Sequence, residues 1–323
     1  MEIGYGTEGI TLRGTNGNFA ASVGIPLMCE RFDSFSVDGS TFASVVAAKN
    51  REIELSTDGQ ACVIRGGGRT RIPILNTHVP EIEMVSGPKV AVNAHAFAKM
   101  CEQIKHAIAV DQSRIVLTGA LVESDGSRMT MTALDGFRLA REAIDCAGDA
   151  VKMLIPGGFL SVIAASTDAE TLEITTDGKT VVARTELTTM KCGLLSGEYV
   201  DVAKVIPETF RFECLVKRRD VLDAMKDARA VIGGEKLIRL GISGHTMKVT
   251  GNSQMADYEA EIDCDCQSDE ALNIAFNSEY LNDALNTIET DEVVMKFNGP
   301  MSPVVVTKRD GEGLRLVLPV RAR

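Results

Sequence analysis

Three stretches of the chain alternate apolar and polar residues into a tight turn and then leave in a Val-rich run. They are Glu52-Ile53-Glu54-Leu55-Ser56-Thr57-Asp58-Gly59, Leu172-Glu173-Ile174-Thr175-Thr176-Asp177-Gly178 and Val293-Val294-Met295-Lys296-Phe297-Asn298-Gly299. Period-two alternation into a DG or NG pair predicts a β-hairpin at each. Asp58 and Asp177 lie 119 positions apart (177 − 58), and Gly178 and Gly299 lie 121 apart (299 − 178). A short helical pattern precedes each hairpin: Phe42, Val45 and Val46 in the first, Phe159 to Ala165 after Pro156-Gly157 in the second, and Tyr280, Leu281, Ala284, Leu285 and Ile288 in the third.

Half a period away a second kind of helix is predicted. Phe97, Cys101, Ile104 and Ile108 form one apolar stripe, and Val221, Met225, Ala228 and Ile232 repeat it 124 residues later (221 − 97). The opposite faces carry His95, Lys99 and His106 in one helix, and Arg219 and Lys226 in the other. Solvated surface is the plain reading of such faces. Asn16-Gly17 also precedes Asp135-Gly136 by 119 positions (135 − 16). A period near 120 predicts an α+β fold of three similar modules, each a sheet with helices on one face. The expected modules are residues 1–86, 87–207 and 208–323, parting near Val85-Ser86-Gly87-Pro88 and Ile206-Pro207-Glu208-Thr209.

That offset places the first module's copy of the striped helix near −27 (97 − 124), ahead of Met1. The first module is therefore expected to be incomplete, short of one strand and one helix. Its single helix is expected over roughly Ser40 to Asn50, and it should be the least stable module.

Composition narrows the picture. The chain has 323 residues, 45% of them hydrophobic, with 34 Lys+Arg against 45 Asp+Glu and a net charge of −11. No apolar run approaches the roughly 18–20 residues of a membrane span. Met1-Glu2-Ile3-Gly4-Tyr5-Gly6 has neither the basic nor the apolar region of a signal peptide, so a cytoplasmic protein without membrane contact is expected. Its eight cysteines are then expected to stay reduced. Cys264-Asp265-Cys266 lacks the further ligands of a zinc site, so no metal is expected. Net negative charge argues against simple coating of nucleic acid, unless cations gather locally. They do gather, at Lys217-Arg218-Arg219 with Lys226 and Arg229, at Arg65 to Arg71, and at Lys99 with Lys105.

Candidate chemistry is sparse. Gly178-Lys179-Thr180 has Glu173 where a P-loop requires glycine, and it lies in a hairpin. Arg65-Gly66-Gly67-Gly68-Arg69-Thr70-Arg71 can cradle an anion, although a hairpin loop is the simpler reading. The four histidines have no triad or metal spacing. No catalytic residue and no cofactor is therefore expected. An enzyme using residues 65–71 for a phosphate ligand, and a repeat-built protein scaffold without DNA, remain the alternatives.

The repeat combines with particular stretches: Thr132-Ala133-Leu134-Asp135-Gly136-Phe137-Arg138-Leu139-Ala140, Leu195 to Pro207, Phe276-Asn277-Ser278-Glu279-Tyr280-Leu281, and Leu316-Val317-Leu318-Pro319-Val320-Arg321. Together they resemble the bacterial beta sliding clamp, the processivity subunit of the replicative DNA polymerase III, over essentially the whole chain. The resemblance implies a homodimeric, head-to-tail ring. Helices would line its hole, and it would hold duplex DNA by the backbone alone. It also reconciles the charge, since a net acidic body can surround DNA when cations line the bore. The bore-facing candidates are Lys49, Lys99, His106, Arg114, Arg219 and Lys226.

The resemblance further implies a pocket for short motifs of the polymerase, the clamp loader and other partners. Its positions are Leu117, Gly136, Phe137, Arg138, Leu139, Lys204, Val205, Asn277, Tyr280, Met301, Leu316, Leu318, Pro319, Val320 and Arg321. Leu134, Phe137 and Val200 stand where the family more often has Thr, His and Pro. The subunit contact is expected to set Arg69, Arg71, Ile72 and Ile74 against Asp257, Glu259 and Glu261 of a second copy, which closes after two chains.

Overall fold

Threonine, an Asx residue and glycine build one turn three times over. In Thr15-Asn16-Gly17, Thr57-Asp58-Gly59 and Thr176-Asp177-Gly178 the threonine hydroxyl accepts the glycine N–H at 3.0–3.1 Å. The Asx side chain accepts the next two backbone N–H groups at 2.7–3.1 Å. Each glycine sits at positive φ (89°, 83° and 85°), where a side chain would be strained. The donated N–H groups hold the carboxyls of Asp58 and Asp177 below the usual carboxylate range. Local chemistry thus fixes where these hairpins reverse.

The computed structural model describes residues 1–6, 9–166, 169–266, 268 and 270–321. They gather into two compact units, Met1–Ala94 with Ser166–Leu194, and His95–Ala165 with Leu195–Arg323.

In the first unit one antiparallel sheet runs through Phe35–Ser36, Glu2–Gly6, Gly9–Thr15, Phe19–Pro26, Thr188–Gly193, Thr180–Arg184, Thr171–Thr176 and Lys89–Asn93. A second sheet has three strands, Glu54–Thr57, Ala61–Arg65 and Arg69–Pro73. Helix α1 (Gly39–Ala47) starts at Asp38, whose carboxylate accepts the Thr41 N–H at 2.7 Å. Among the described residues it is the only α-helix within residues 1–86, close to the expected span. Ile3, Val37, Phe42, Cys62, Ile64 and Ile72 form the core beneath it. Strands Gly9–Thr15 and Phe19–Pro26, by contrast, contribute no buried residue.

The second unit is one antiparallel run. From Ala150–Pro156 it passes through Gly119–Asp125, Arg128–Leu134, Arg138–Gly148, Leu314–Val317, Val304–Lys308 and Glu292–Phe297. It continues through Phe212–Lys217, Asp257–Cys266, Thr246–Asn252 and Leu237–Ser243 to Leu272–Asn277. Helices α2 (Ala94–Ile104), α3 (Gly157–Ala164), α4 (Arg218–Ile232) and α5 (Ser278–Asn286) join it. On α4 the predicted stripe of Val221, Met225, Ala228 and Ile232 is wholly buried. The helix comes so near the sheet that a Cβ at Gly251 would meet the Ala228 carbonyl at 3.1 Å and the Ile232 side chain at 2.8 Å.

The stripe of α2 ends sooner than its sequence suggests. The α-helix stops at Ile104, a 3-10 turn follows over Lys105–Ala107, and Ile108 is already extended. Ile108 leaves the helix to pack on Gly157, whose Cβ position lies 3.0 Å from its side chain.

A candidate peptide pocket and the charged faces

Strand Arg138–Gly148 pairs with Leu314–Val317 over four residues, with Leu139 opposite Leu316 and Arg138 opposite Val317. Leu139 and Leu316 join Leu117, Leu134 and Val305 in a buried apolar cluster. Tyr199, Val202, Ile206 and Phe210 of the preceding connection pack against that cluster. Leu117, Leu139 and Leu316, expected pocket positions, are all buried in this cluster and would form the floor of any groove there.

Above the floor the apolar side chains stand in solvent. Phe137 is 59% exposed, Met301 57% and Leu318 38%, and Val205 and Val320 are exposed to a similar degree as Leu318. The chain end is strapped in place, since the Leu318 N–H donates to the Phe137 carbonyl at 2.9 Å and the Val320 N–H to the Ala275 carbonyl at 2.8 Å. Phe137 stacks on Tyr280 with centroids 6.0 Å apart. The Arg138 guanidinium lies 4.5 Å from the centre of the Tyr280 ring and donates to Asp135 at 2.9 Å and Asp283 at 2.6 Å. Gly136, at φ +96°, makes the turn that presents Phe137. Asn277 caps α5, its side chain accepting the Glu279 N–H at 2.9 Å. Lys204, paired with Asp201 at 3.0 Å, and Arg321 are exposed cations, and Pro319 is half-buried.

Sequence reasoning missed the two carboxylates that hold Arg138. Asp135 was within reach, three residues before the arginine. Asp283 is 145 positions away and leaves no local signal.

The helical faces are more mixed than the sequence suggested. Lys99, Arg219 and Lys226 are exposed, Arg114 is exposed at a kink in the 3-10 segment Gln112–Thr118, and Lys49 is half-buried after α1. On α4, however, Asp220, Asp223 and Asp227 share the outer face with Arg219 and Lys226, and Arg219 lies 3.7 Å from Asp223. Lys99 is paired with Glu289.

His106 is corrected outright as a charged contact. The 3-10 turn rotates it off the outer face, and it is half-buried with Nδ1 sealed and unpartnered among the described residues. Burial, reinforced by the charges of Arg315 and Arg138, lowers its pKa to about 3, so it is neutral at pH 7.

The expected subunit-contact residues are also rearranged. Ile72 is 2% exposed and belongs to the first unit's own core, so it is not an apolar centre for any contact. Inward alternation on a half-buried strand puts it there, leaving Arg69 and Arg71 outside. Arg71 meets Asp58 at 2.7 Å, and Ile74 is half-buried. Asp257, Glu259 and Glu261 point outward on their strand, with Lys248 reaching Glu259 at 2.7 Å. Strand Arg69–Pro73 and the 257–263 part of the acidic strand each pair on one side only among the described residues. In the Gly-rich loop the guanidinium of Arg51 lies 3.2 Å from where a Gly67 Cβ would stand, and Arg65 pairs with Glu54 at 3.3 Å.

Apolar side chains held out of a sheet around an aromatic–guanidinium stack form an exposed apolar patch beside a fixed cation. The family models agree in placing the protein. That for the DNA polymerase III beta subunit, central domain, matches residues 91–201, and that for its C-terminal domain matches 203–321. The beta sliding clamp of Staphylococcus epidermidis is 24% identical over 303 residues, covering 89% of this chain and 80% of that protein. That of Staphylococcus aureus is 22% identical over 333 residues, covering 97% and 88%. Among solved structures, the DNA polymerase III beta subunit of Thermotoga maritima superposes with TM-score 0.92 at 24% identity, covering 100% of this chain and 91% of that one. The DNA polymerase sliding clamp of Bacillus subtilis gives 0.87 at 22% identity, covering 100% and 91%. The chain belongs to the DNA polymerase III beta subunit family, that of the sliding clamps, which are processivity subunits without catalysis of their own.

Proposed function

We propose that this chain is a DNA sliding clamp that closes as a homodimeric ring around duplex DNA in the cytoplasm and tethers the replicative polymerase. The observation that carries the reading is the exposed apolar group of Phe137, Leu318 and Val320 beside the Tyr280–Arg138 stack. It lies within the segment that matches the family's central and C-terminal domains. Such a surface suits capture of an apolar linear motif from the polymerase, a clamp loader or another partner. Tethering raises the partner's effective concentration at the template, so weak peptide binding suffices for processivity.

DNA would be held by enclosure and by phosphate contacts from Lys99, Arg219, Lys226, Lys49 and Arg114, with no base readout. Closure would join the single-sided strand edge bearing Arg69 and Arg71 to the acidic edge bearing Asp257, Glu259 and Glu261 on a second copy. The three-module division at 86/87 and 207/208 belongs to the same proposal. Retention on nicked circular DNA after loading, lost when the circle is linearised, is the expected result. Retention that survives linearisation refutes enclosure, and failure to be retained at all favours a scaffold without DNA.

A further inference from the structure

Arg315 is 0% exposed, yet it carries a guanidinium. Every arm of that guanidinium is used. Nη2 donates to Glu142 Oε1 at 2.7 Å and to the Thr287 carbonyl at 3.3 Å, and Nε donates to Thr287 Oγ1 at 2.9 Å. Nη1 donates to the carbonyls of Arg141 and Leu314 at 3.4 and 3.1 Å. One side chain therefore ties together strand Arg138–Gly148, strand Leu314–Val317 and the C-terminal end of α5. These three elements present Phe137 and Arg138, Leu316 and Leu318, and Tyr280 and Asp283 respectively. Burial pushes the guanidinium's pKa down and Glu142 pushes it back up.

A buried ion pair of this kind is weak evidence for stability, because desolvation offsets much of the attraction. Its better-attested use is to specify register. Register needs specifying here. The run Leu314-Arg315-Leu316-Val317-Leu318 is apolar on both faces apart from Arg315. Leu316 faces the pocket floor with Leu139 and Val305, while Val317 faces the opposite core with Val304, Val306, Leu281 and Leu285. Hydrophobic patterning alone thus tolerates a slip of Leu314 into the place of Leu316. A slip by one residue drives the guanidinium into the apolar floor, and a slip by two takes it away from Glu142.

We propose that the buried Arg315–Glu142 pair is the positioning element of the pocket, fixing the register of Leu314–Val317 against Arg138–Gly148 so that Leu316 lies in the floor and Leu318 beside Phe137. This rests on the reading of that surface as a peptide pocket, but it is testable without a peptide. Leu318 and Val320 donate backbone hydrogen bonds to Phe137 and Ala275, so their amide exchange reports the strap directly.

The test replaces both partners in the full chain, Glu142→Leu with Arg315→Met. The urea midpoint should stay near the parent's. Exchange at the Leu318 and Val320 amides should quicken by at least about tenfold, and the Leu316 and Leu318 methyl resonances should split. A folded double variant with parental exchange and single methyl signals overturns the proposal. If the double variant does not fold, Arg315→Lys decides. It keeps a charge that still requires Glu142, so it should retain parental exchange at Leu318, and split signals there overturn the proposal. Quickened exchange with undiminished peptide binding would instead count against the pocket reading alone.

Discussion

Arg138 and Tyr280 are locked face to guanidinium at 4.5 Å, and the carboxylate that holds the arginine there, Asp283, lies one turn further along the same helix as the tyrosine. The stack therefore belongs to two elements at once, a strand end and α5. The ring is presented rigidly while its neighbour Phe137 stays largely in solvent. A motif docking on this face would meet a preformed apolar wall and spend little entropy ordering it.

If that wall is the pocket, Tyr280→Ala and Leu318→Ala should each weaken binding of a polymerase-derived peptide by about tenfold or more, the loss of roughly 1.4 kcal/mol. Leu318 is partly exposed, so its truncation should leave the folded state within about 1 kcal/mol of the parent. Fluorescence titration beside a denaturant melt separates the two effects. Unchanged affinity in a folded Leu318→Ala chain removes Leu318 from the pocket.

Charge reversal at Lys99, Arg219 and Lys226 should lower retention on circular DNA, and the deficit should shrink as salt rises and screens the parent's own contacts. Asp223 and Glu289 already oppose two of these cations, so the parent's salt dependence should itself be shallow. A triple variant that loads normally at low salt takes these faces off the DNA.

The two single-sided strand edges predict the oligomeric state. Arg69→Glu with Arg71→Glu should give monomers by light scattering, since both cations are exposed on their strand and reversal sets like charges against Asp257, Glu259 and Glu261. Ile72→Ala should act differently, costing about 2–5 kcal/mol of stability as a core truncation. A dimer that persists in the charge variant excludes this edge.

His106 gives a pH prediction. It is held neutral in the folded chain with a pKa of about 3, against 6.5 when unperturbed. The unfolded chain therefore binds the extra proton first as pH falls. Stability should drop with falling pH between those two values, by up to about 1.4 kcal/mol per unit. His106→Gln should flatten that slope in urea melts taken from pH 6 to pH 4. An unaltered slope would mean that the ring is solvated and titrates normally in the folded protein.

Features encoded within a few residues were legible in the sequence, and those made by distant partners were not. The hairpins at Asp58 and Asp177 and the stripe of α4 were readable because turn chemistry and helical period are local. His106 was misplaced because the helix pattern continues through it. Ile108, four residues past the last helical residue, leaves the helix to pack on Gly157 across a sequence gap that no periodicity reveals. Ile72 was assigned to a contact by resemblance, although strand alternation already pointed it inward. The Arg315–Glu142 pair, 173 positions apart, had no local signature at all.

The first unit's sheet carries the last prediction. In Gly9–Thr15 and Phe19–Pro26 every residue is half-buried or exposed, although Ile10 lies opposite Ile25 and Leu12 opposite Val23 as an apolar pair of rungs would. Strand Arg128–Leu134 in the second unit buries Met129, Met131, Thr132, Ala133 and Leu134. Ile10 and Leu12 pack at the margin of the first unit's core, but with no fully buried side chain these strands have less than Arg128–Leu134 to resist opening beyond their ladder bonds. Amides of residues 10–25 should therefore exchange faster than those of residues 120–134 under native conditions, by a factor set by local opening rather than global unfolding. Mild denaturant should widen the gap, because the first segment should melt as a sub-global unit. Equal protection in both segments would mean that another surface covers Ile10, Leu12, Val23 and Ile25 in solution, and the first module would then not be the weakest part of the chain.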